Sequence, residues 1–483
     1  MPATVVALNG TAVELDDAAL DELRKGFRGS VIVRGEPAEA EVRPPYNLMH
    51  QGRPGLTVRC RGTADVAAAV KFASGRDLLV AVRGGGHSLA GLSTVEGGLL
   101  IDLSSMNGVI VDPGRKLAHV QSGAVLGDVD RETQVFGLAV PLGVVSDTGV
   151  GGLTLGGGYG WLRRKHGLTC DNVVEAQVVG ADGQVHTASA ETNEDLFWAI
   201  RGGGGNFGIV TEFTYRLHEV GPIVAFAGPI YALEDAHAVI RGWRDFVSSA
   251  PDEVSSLVVA LTFPSVPDLP EALHNRACLV VGGVYAGDVE EGTAALQPVR
   301  ELATPLADLS SPEPFAHVQS SFDPFFPRQH FRSYWKSQFL NDLSDEAIDM
   351  FVTLASERPQ PLSLVNLWQM GGAISNVGDQ ETPLSDRTAK FLVSIEGNWT
   401  EAAMTEEVVG WVRSAFSRIR EFGTGGVYLN FTGLSEETTS TDVDSAYGRN
   451  LRRLADIKAK YDPANFFRLN NNIAPAKEPS ATA

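Results

Sequence analysis

Cysteine, positive charge and long apolar runs are scarce in this 483-residue sequence, and each scarcity excludes a class of protein. Cys60, Cys170 and Cys278 are too few and too scattered for a disulfide framework or a cysteine-rich metal site, so we expect no bound metal. Lys and Arg number 39 against 59 Asp and Glu, and the net charge of −20 argues against nucleic acid or an anionic membrane as a partner. No apolar run approaches the roughly 20 residues that cross a bilayer, and residues 1–14 lack the features of a secretion signal. We therefore expect a cytoplasmic protein without a membrane partner.

The bulk composition is that of a folded chain. Hydrophobic residues make up 43% and charged residues 20%, values typical of soluble globular proteins. A chain of 483 residues is too long for one ordinary core, which predicts two or three domains. Glycine is abundant, with 52 residues, and much of it is clustered between residues 84 and 208.

The first glycine cluster is the turn Val82–Leu89, which reads V-R-G-G-G-H-S-L. It follows the apolar run Leu78–Val82, which predicts a buried strand. Three consecutive glycines let the backbone approach a ligand closely and present N–H groups that no side chain covers. The pattern fits a cradle for a pyrophosphate, with positive charge from Arg83 and a nucleophilic imidazole from His87. A plain tight turn with a core histidine is the alternative for this motif taken alone.

Three further clusters follow, at residues 143–152, 156–161 and 201–208. Seven glycines fall within residues 149–160, which predicts irregular backbone wrapped around a ligand rather than a helix or a strand. No G-x-G-x-x-G motif follows a strand with an acidic residue about 20 residues further on, which disfavours a nicotinamide-dependent Rossmann enzyme.

Outside the clusters, the first half predicts alternating strands and helices. Residues 57–82 predict strand, helix and strand, with the helix at about 63–75 and Asp65 in its first turn, where a carboxylate suits the helix dipole. The dipeptide Asp182-Gly183 predicts a hairpin turn. The other predicted elements are helices at 15–27 and 126–136 and strands at 29–33, 99–103, 108–111 and 117–121.

After about residue 215 the glycine clusters end and longer elements follow. They predict an antiparallel sheet with helices packed on one side. The predicted helices are 233–248, 289–302, 345–357 and 401–422, and the predicted strands are 254–263, 277–285, 364–370, 390–397 and 426–431. Residues 305–331, rich in Pro and Phe, predict a surface loop that borders a cleft, and residues 446–461 predict a last helix.

Four segments together resemble one family. They are Arg83–Ser88, residues 148–152 with Gly156–Trp161, the run R-G-G-G-G-N-F-G-I-V-T-E-F from Arg201, and Y-D-P-A-N-F-F-R from Tyr461. The chain from Thr57 to Ile473 resembles bacterial berberine-bridge-enzyme-like FAD-linked oxidases of the vanillyl-alcohol-oxidase, or PCMH-type, flavoprotein superfamily. One glycine run would be a weak signal, but four in this order are specific.

The resemblance implies an α+β fold. A PCMH-type FAD-binding domain of two α/β subdomains would span residues 1–215 and a substrate domain 216–435, with a segment 436–475 returning to the FAD domain and a tail 476–483. It also implies a covalent bond between His87 and the 8α-methyl of FAD, which would raise the reduction potential of the flavin. The residues implied to contact FAD are Arg83, Gly84, Gly85, Gly86, His87, Ser88, Gly143, Asp147, Thr148, Gly151, Gly152, Gly157, Gly158, Tyr159, Cys170, Asp171, Asn206, Gly208, Val210, Asn470 and Asn472.

Two departures from the family pattern concern the flavin linkage and the catalytic base. Many relatives attach the flavin a second time through a Cys in the segment that corresponds to Gly143–Gly149, which holds no Cys here, so we predict a single covalent bond. Relatives often end a Tyr-x-Asn-Tyr strand with a Tyr, which is Phe431 in this chain. The Glu or Gln of the neighbouring strand corresponds to Leu392 or Ser394, which share one face with Glu396. Glu396 is either a replacement base or a solvated carboxylate at the sheet end.

The candidate catalytic residues are Tyr159, Tyr428, Tyr447, Gln369 and Glu396. A Tyr base would need a lowered pKa, because a phenol ordinarily titrates near 10. At the position of Thr148, plant relatives that react with oxygen carry Val and dehydrogenases carry Leu; Thr is close to Val in size, which favours an oxidase.

Three functions follow from the resemblance. The first is an FAD-dependent oxidase that takes hydride from an alcohol, a sugar or a secondary metabolite and passes the electrons to molecular oxygen, giving hydrogen peroxide and a carbonyl or cyclised product. The second is a dehydrogenase with another acceptor, and the third is a flavin or ligand carrier without turnover. The sequence leaves the substrate and the oligomeric state open.

Overall fold

The computed structural model describes residues 2–265, 270–434 and 440–477, and its first 219 residues hold short strands and helices. The strands are β1 (Ala3–Val6), β2 (Ala12–Leu15), β3 (Ser30–Val33), β4 (Leu56–Arg59), β5 (Val80–Arg83), β6 (Leu99–Asp102), β7 (Val109–Asp112), β8 (Leu117–Gln121), β9 (Leu138–Ala139), β10 (Val173–Val179), β11 (Val185–Ser189), β12 (Ile209–Arg216) and β13 (His218–Glu219). The α-helices are α1 (Asp17–Lys25), α2 (Thr63–Ser74), α3 (Leu126–Gln134), α4 (Val150–Leu155), α5 (Arg163–His166) and α6 (Glu194–Ile200).

Two sheets organise this first region. A four-stranded sheet has the order β3-β4-β6-β5, in which β6 lies between the two strands of the predicted β-α-β opening and runs parallel to both. A five-stranded antiparallel sheet has the order β11-β10-β12-β8-β7, and its β10–β11 hairpin turns at the predicted Asp182-Gly183. The glycine-rich turn that follows β5 leaves the end of the first sheet toward the second. The N-terminal strands β1 and β2 pair with each other and were not predicted.

The second region carries the large sheet. Its strands are β14 (Ile223–Ala227), β15 (Pro229–Ala232), β16 (Val254–Thr262), β17 (Ala277–Tyr285), β18 (Ala307–Asp308), β19 (Ser311–Pro314), β20 (Arg332–Leu340), β21 (Leu364–Gln369) and β22 (Phe391–Trp399). Its α-helices are α7 (Ala236–Ser249), α8 (Val289–Ala295), α9 (Phe315–Gln319), α10 (Asp345–Ser356) and α11 (Thr405–Ile419). The strands form one antiparallel sheet with the central order β15-β17-β16-β21-β22-β20.

The two faces of this sheet have different neighbours. Residues of β22 alternate: Phe391, Val393 and Ile395 pack under α7, α10 and α11, whereas Leu392 belongs to the aromatic cluster on the opposite face. The α+β fold with helices on one side is therefore confirmed. Glu396 shares the face of Leu392, as the alternation predicted, and this face looks toward the first region.

Arginine side chains dock the first region on the large sheet. Arg163 in α5 is fully buried and donates to the backbone carbonyls of Gln369 (2.6 Å), Gly160 (2.9 Å) and Ser256 (2.5 Å). A buried guanidinium is tolerated only where its donors are satisfied. Because the bonds to Gln369 and Ser256 cross to the large sheet, they fix how the two regions meet.

Three local predictions were wrong or incomplete. Residues 426–431 do not form a strand: Leu429–Phe431 is a 3-10 turn, because the N–H of Phe431 returns to the carbonyl of Tyr428 at 2.9 Å. Strand β20 was missed. The segment 305–331 is not a plain loop, since it contains β18, β19 and α9.

The C-terminal helices α12 (Ser440–Tyr447) and α13 (Leu451–Tyr461) complete the described chain, and Leu454 and Ile457 lie in the core of the first region. The domain limits at 215/216 and 475/476 stay predictions, and the limit at 435/436 and most of the tail fall outside the described residues. Within the described residues, no helix combines the length and the apolar character that crossing a bilayer requires.

Candidate active site

A cavity of about 340 Å³ lies between the glycine-rich turns and the open face of the large sheet. Most residues implied to contact a cofactor line it. They are Gly84, Gly85, Gly86, His87, Ser88, Gly143, Thr148, Gly151, Gly152, Tyr159, Gly208, Val210 and Asn470.

Glycine is required here for two different reasons. A Cβ on Gly85 would collide with the backbone of Gly149, so the first two glycine runs pack main chain against main chain. A Cβ on Gly152 or Gly205 would meet no atom within 4 Å, because both residues face the open cavity. The wall therefore has the room and the bare backbone that a dinucleotide cofactor needs.

One prediction about these runs is corrected. Gly151 and Gly152 are not irregular backbone but lie inside the short helix α4, which begins after Gly149 and ends at Gly156. The N–H of Val150 donates to the carbonyl of Ala124 at 2.9 Å, which anchors the start of this helix. The irregular path begins later, at Gly157 and Gly158, whose φ angles of 111° and 85° suit only glycine.

His87 stands at the edge of the cavity with an unpartnered ring nitrogen. The ring of Tyr46 stacks on it at 4.0 Å with an interplanar angle of 22°, and Nε2 is buried without a hydrogen bond. Burial, with a further contribution from the positive charge of Arg328, lowers the pKa of His87 to about 3. The imidazole is therefore neutral at physiological pH and keeps a nucleophilic lone pair.

A clamp of two arginines and one carboxylate holds the turn that carries His87. Asp147 accepts hydrogen bonds from Arg43 and, at 2.7 Å, from Nε of Arg328. Arg328 also donates to the carbonyl of Gly85 at 2.6 Å. Asp147 thus contacts protein groups and does not line the cavity, and its contact with FAD stays a prediction.

Arg83 also lies outside the cavity wall, and its contact with FAD stays a prediction. Its side chain is buried away from the cavity and donates to the carbonyls of Ser93 (2.9 Å) and Arg43. The guanidinium therefore joins two loop segments, at Arg43 and Ser93.

Six further residues predicted to contact FAD lie outside the cavity wall, and their contacts with FAD stay predictions: Gly157, Gly158, Cys170, Asp171, Asn206 and Asn472. Asp171 forms a bidentate ion pair with Arg387 (2.7 and 2.8 Å), and the buried Cys170 donates weakly to it. The Asn206 amide ties Gly203 to Asn471 and Ile473, so it joins chain segments. No cysteine lines the cavity; all three are buried free thiols elsewhere.

A buried carboxyl group lies on the cavity side of the large sheet. Glu396 is 2% exposed, and its Oε1 accepts hydrogen bonds from Asn366 Nδ2 (2.7 Å) and Ser394 Oγ (2.8 Å). Its Oε2 has no partner, nor has Oδ1 of Asn366. Burial raises the pKa of Glu396 to about 7, against the opposing effect of the two hydrogen bonds. Glu396 is therefore not a solvated carboxylate, and it can exchange a proton near neutral pH.

Aromatic side chains surround this carboxyl group. Trp335 and Trp368 line the cavity, and their indole N–H groups donate hydrogen bonds to Asn398 Oδ1 and Ser394 Oγ, respectively. Phe322 and Phe326 enter the wall from the segment 305–331, as the predicted cleft border implied.

Two of the three tyrosines that line the cavity, Tyr159 and Tyr428, are poor bases. Tyr159 and Tyr428 meet edge to face at 4.5 Å. Burial raises the pKa of both hydroxyls above the ordinary value, so neither loses its proton at neutral pH. They can donate hydrogen bonds to a ligand.

Two other catalytic candidates, Gln369 and Tyr447, are bonded to the protein itself. Gln369 points to the helix side of the sheet, where its Oε1 accepts from the N–H of Ser256 (3.0 Å) and its Nε2 donates to the carbonyl of Val247. Tyr447 touches the cavity from the core of the first region, but its hydroxyl donates to the carbonyl of Gly202 at 3.2 Å. Neither side chain is free to act on a substrate.

Sequence reasoning missed Tyr46, Arg328, Trp335, Asn366 and Trp368. All five reach the site through long-range contacts, and no local motif marks them.

Comparison with known proteins agrees with this geometry. Residues 54–189 match the model of an FAD binding domain, and residues 427–474 match a model described as berberine and berberine like. The chain is 30% identical over 455 residues to the uncharacterized FAD-linked oxidoreductase YgaK of Bacillus subtilis, covering 93% of this chain and 97% of that protein. It is 29% identical over 466 residues to the (R)-6-hydroxynicotine oxidase of Paenarthrobacter nicotinovorans, with 93% and 97% covered. The crystal structure of 6-hydroxy-D-nicotine oxidase from Arthrobacter nicotinovorans superposes with a TM-score of 0.82 at 26% identity, covering 93% of this chain and 98% of that one.

Proposed function

Because the chain belongs to the berberine-bridge-enzyme-like family of FAD-linked oxidoreductases, we propose that it is an oxidase that carries FAD on His87. The observation that supports this proposal is one cavity that is lined both by an unpartnered imidazole and by a carboxyl group whose pKa burial raises to about 7. The first suits a covalent flavin linkage and the second suits proton transfer at neutral pH.

The glycine-lined half of the cavity would hold FAD, and His87 would form its single covalent bond. When bound, FAD accepts a hydride from the substrate and passes the electrons to oxygen. The residues of the chain supply the other requirements: Glu396 takes the proton, Tyr159 and Tyr428 donate hydrogen bonds, and the aromatic wall excludes water. Thr148, which lines the cavity with a side chain of nearly the size of Val, supports access of oxygen to the flavin.

Two measurements test the proposal. Wild-type protein precipitated with acid should retain its yellow colour, whereas His87→Ala should release all its flavin into the supernatant. A colourless wild-type precipitate would refute the covalent bond.

The second measurement is an anaerobic reduction screen over sugars, benzylic alcohols, phenols and amines, followed by admission of oxygen. An oxidase should bleach with one of these substrates and recover its colour in air with formation of hydrogen peroxide. Bleaching without rapid recovery would indicate the alternative, a dehydrogenase with another acceptor. Absence of bleaching by any compound would favour a flavin carrier without turnover.

A further inference from the structure

The imidazole of His87 has an aromatic neighbour that lies outside the cavity. The ring of Tyr46 stacks on it with 4.0 Å between the ring centroids and 22° between the ring planes. His87 lines the cavity wall, whereas Tyr46 does not line it and is 1% exposed. Tyr46 therefore contacts the imidazole from within the protein and not from the cavity.

The plane of the imidazole matters for any bond that His87 forms. In a neutral imidazole one nitrogen carries a proton and the other a lone pair. This lone pair lies in the plane of the ring, so the ring plane sets the direction in which the nitrogen can attack a carbon atom. The torsion that turns a histidine ring is broad, and no described residue forms a hydrogen bond with Nε2 of His87 that would hold the ring. The stack on Tyr46 therefore limits a rotation that the side-chain torsion leaves free.

The backbone of Tyr46 is bonded to the same turn that carries His87. The N–H of Tyr46 donates to the carbonyl of Gly86, one residue before His87, at 2.8 Å. On the other side of His87, Nδ2 of Asn47 donates to the carbonyl of Leu89 at 2.9 Å. These two hydrogen bonds bracket His87, so they hold the phenol ring and the imidazole in one fixed arrangement.

Asn47 joins this arrangement to the large sheet. Asn47 is fully buried, and its Nδ2 also donates to the carbonyl of Ser333 in β20 at 2.7 Å. Its Oδ1 accepts from the N–H groups of Ser333 (2.9 Å) and Met49 (3.0 Å), so the amide has a partner for each donor and each lone pair. The N–H of Gln329 donates to the carbonyl of Tyr46 at 3.2 Å. The place of the phenol ring is thus fixed from the turn and from the second region.

From the stacked ring and its attachment on both sides, we propose that Tyr46 is a positioning residue that sets the plane of the His87 imidazole for attack on the 8α-methyl carbon of FAD. This inference rests on the proposed covalent linkage and adds to it a residue outside the cavity. The aromatic ring carries the role, because the stack involves the ring and not the hydroxyl group.

The covalent step that Tyr46 assists balances with molecular oxygen as the oxidant. An N–C bond forms between the imidazole and the 8α carbon, while one C–H bond of the methyl group and the N–H bond of the imidazole break. The two electrons that are released reduce the flavin ring and then pass to oxygen, which takes up the two protons. The net change is one imidazole, one FAD and one oxygen to one attached flavin and one hydrogen peroxide.

The rate at which added FAD becomes covalently bound tests this role. Full-length protein from riboflavin-limited cells, freed of flavin that is not covalently bound, is incubated with FAD in air and precipitated with acid at successive times. The flavin in the precipitate measures covalent attachment, and gel filtration of parallel samples measures total bound FAD. We expect Tyr46→Leu to lower the rate of attachment about 5- to 10-fold, at unchanged total bound FAD, because an aromatic stack is lost.

Two further variants separate positioning from general stability. Tyr46→Phe keeps the stacked ring, so it should attach FAD at the rate of the wild type. Tyr231→Leu is the matched control, because Tyr231 is also a fully buried tyrosine but lies outside the cavity, where its hydroxyl donates to the carbonyl of Val299 at 2.6 Å. This control should lower the free energy of unfolding in urea, as Tyr46→Leu does, and leave the rate of attachment unchanged.

The outcomes separate this inference from the proposed linkage. If the wild type attaches FAD and Tyr46→Leu does so at the same rate, the role of Tyr46 is wrong and the linkage to His87 stands. The same holds if Tyr46→Phe is as slow as Tyr46→Leu, because the ring would then not be the group that acts. Equal slowing in Tyr46→Leu and Tyr231→Leu would also overturn the role, since attachment would then follow stability. If the wild type attaches no FAD, the linkage and the role of Tyr46 both fail.

Discussion

Replacing Glu396 by Gln should stabilise the protein, and the gain should grow with pH. Burial raises the pKa of this carboxyl group from 4.5 to about 7, so the folded state binds its proton more tightly than the unfolded state does. Below about pH 4.5 the group is protonated in both states and the fold has the full benefit. As the pH rises toward 7 that benefit is lost, and above 7 the ionised carboxylate costs the fold about 3 kcal/mol, since one pKa unit corresponds to about 1.4 kcal/mol.

The Gln variant has no such dependence, because its amide does not titrate in this range. Any change in hydrogen bonding to Asn366 and Ser394 adds an offset that does not vary with pH. The quantity to measure is therefore the difference in urea unfolding between the variant and the wild type, at matched pH values from 5 to 9. We expect this difference to rise in favour of the variant by about 3 kcal/mol across the range.

Asp130→Asn provides an internal standard for this experiment. Burial also raises the pKa of Asp130, from 3.8 to about 7, so a pH-dependent gain of the same direction and at least the same size should appear. A difference between Glu396→Gln and wild type that stays constant from pH 5 to 9 would show that the pKa of Glu396 is not raised, and the assignment of Glu396 as the base would fail.

Two further predictions concern the flavin and the tyrosine wall. Asp147→Asn weakens the ion pair that positions Arg328 against the carbonyl of Gly85, so the fraction of flavin that stays with the acid-precipitated protein should fall while total flavin is unchanged. The control Glu313→Gln, which breaks an ion pair with the exposed His317, should leave that fraction unchanged. An unchanged fraction in Asp147→Asn would contradict the role of the clamp. Tyr159→Phe removes one hydrogen-bond donor from the cavity and should slow anaerobic flavin reduction about 5- to 10-fold. The pH at which the reduction rate rises should stay near 7, because this rise reports the pKa of Glu396. If the rise is lost or displaced in the variant, Tyr159 takes part in the proton transfer.

The elements that the sequence predicts correctly are those with local causes. Strand β4, helix α2 and strand β5 follow from apolar runs separated by an amphipathic segment, and the β10–β11 hairpin follows from Asp182-Gly183. Even so, one detail inside this stretch is not local. Asp65 does not simply complement the dipole of α2; its carboxylate accepts hydrogen bonds from the N–H groups of Arg28, Gly29 and Arg61, and so joins β3 to the helix.

The failures have tertiary causes. The alternating residues 426–431 suggest a strand, but Ser337 of β20 accepts the N–H of Tyr428 through its hydroxyl at 3.2 Å, and the chain turns there instead. Helix α4 forms despite its two glycines because its first turn is anchored on Ala124, in another segment. In both cases a partner far along the chain outweighs the local propensity.

The same distinction separates the two halves of the site. The flavin half is visible in the sequence, because a backbone that must approach a ligand needs glycine at fixed positions. The side chains that contact the flavin half from distant parts of the sequence are not visible in this way. Tyr46, which stacks on His87, lies 41 positions before it, and Arg328, which pairs with Asp147, lies 181 positions after it. Such contacts decide whether a polar side chain faces the cavity or forms hydrogen bonds within the protein, as Arg83 does.

Glu396 shows why the chemistry of the substrate half needs the fold. Alternation along β22 assigns its face, but a carboxylate at the end of an isolated strand would be solvated. It is buried here because β20 and β21 flank β22, with Trp335 and Leu364 directly opposite Glu396, and because α11 covers the other face. The resulting cost, about 3 kcal/mol at pH values above 7, is large for a single side chain. The burial that weakens the folded protein is therefore also what raises the pKa of Glu396 to about 7, the range that a base needs at neutral pH.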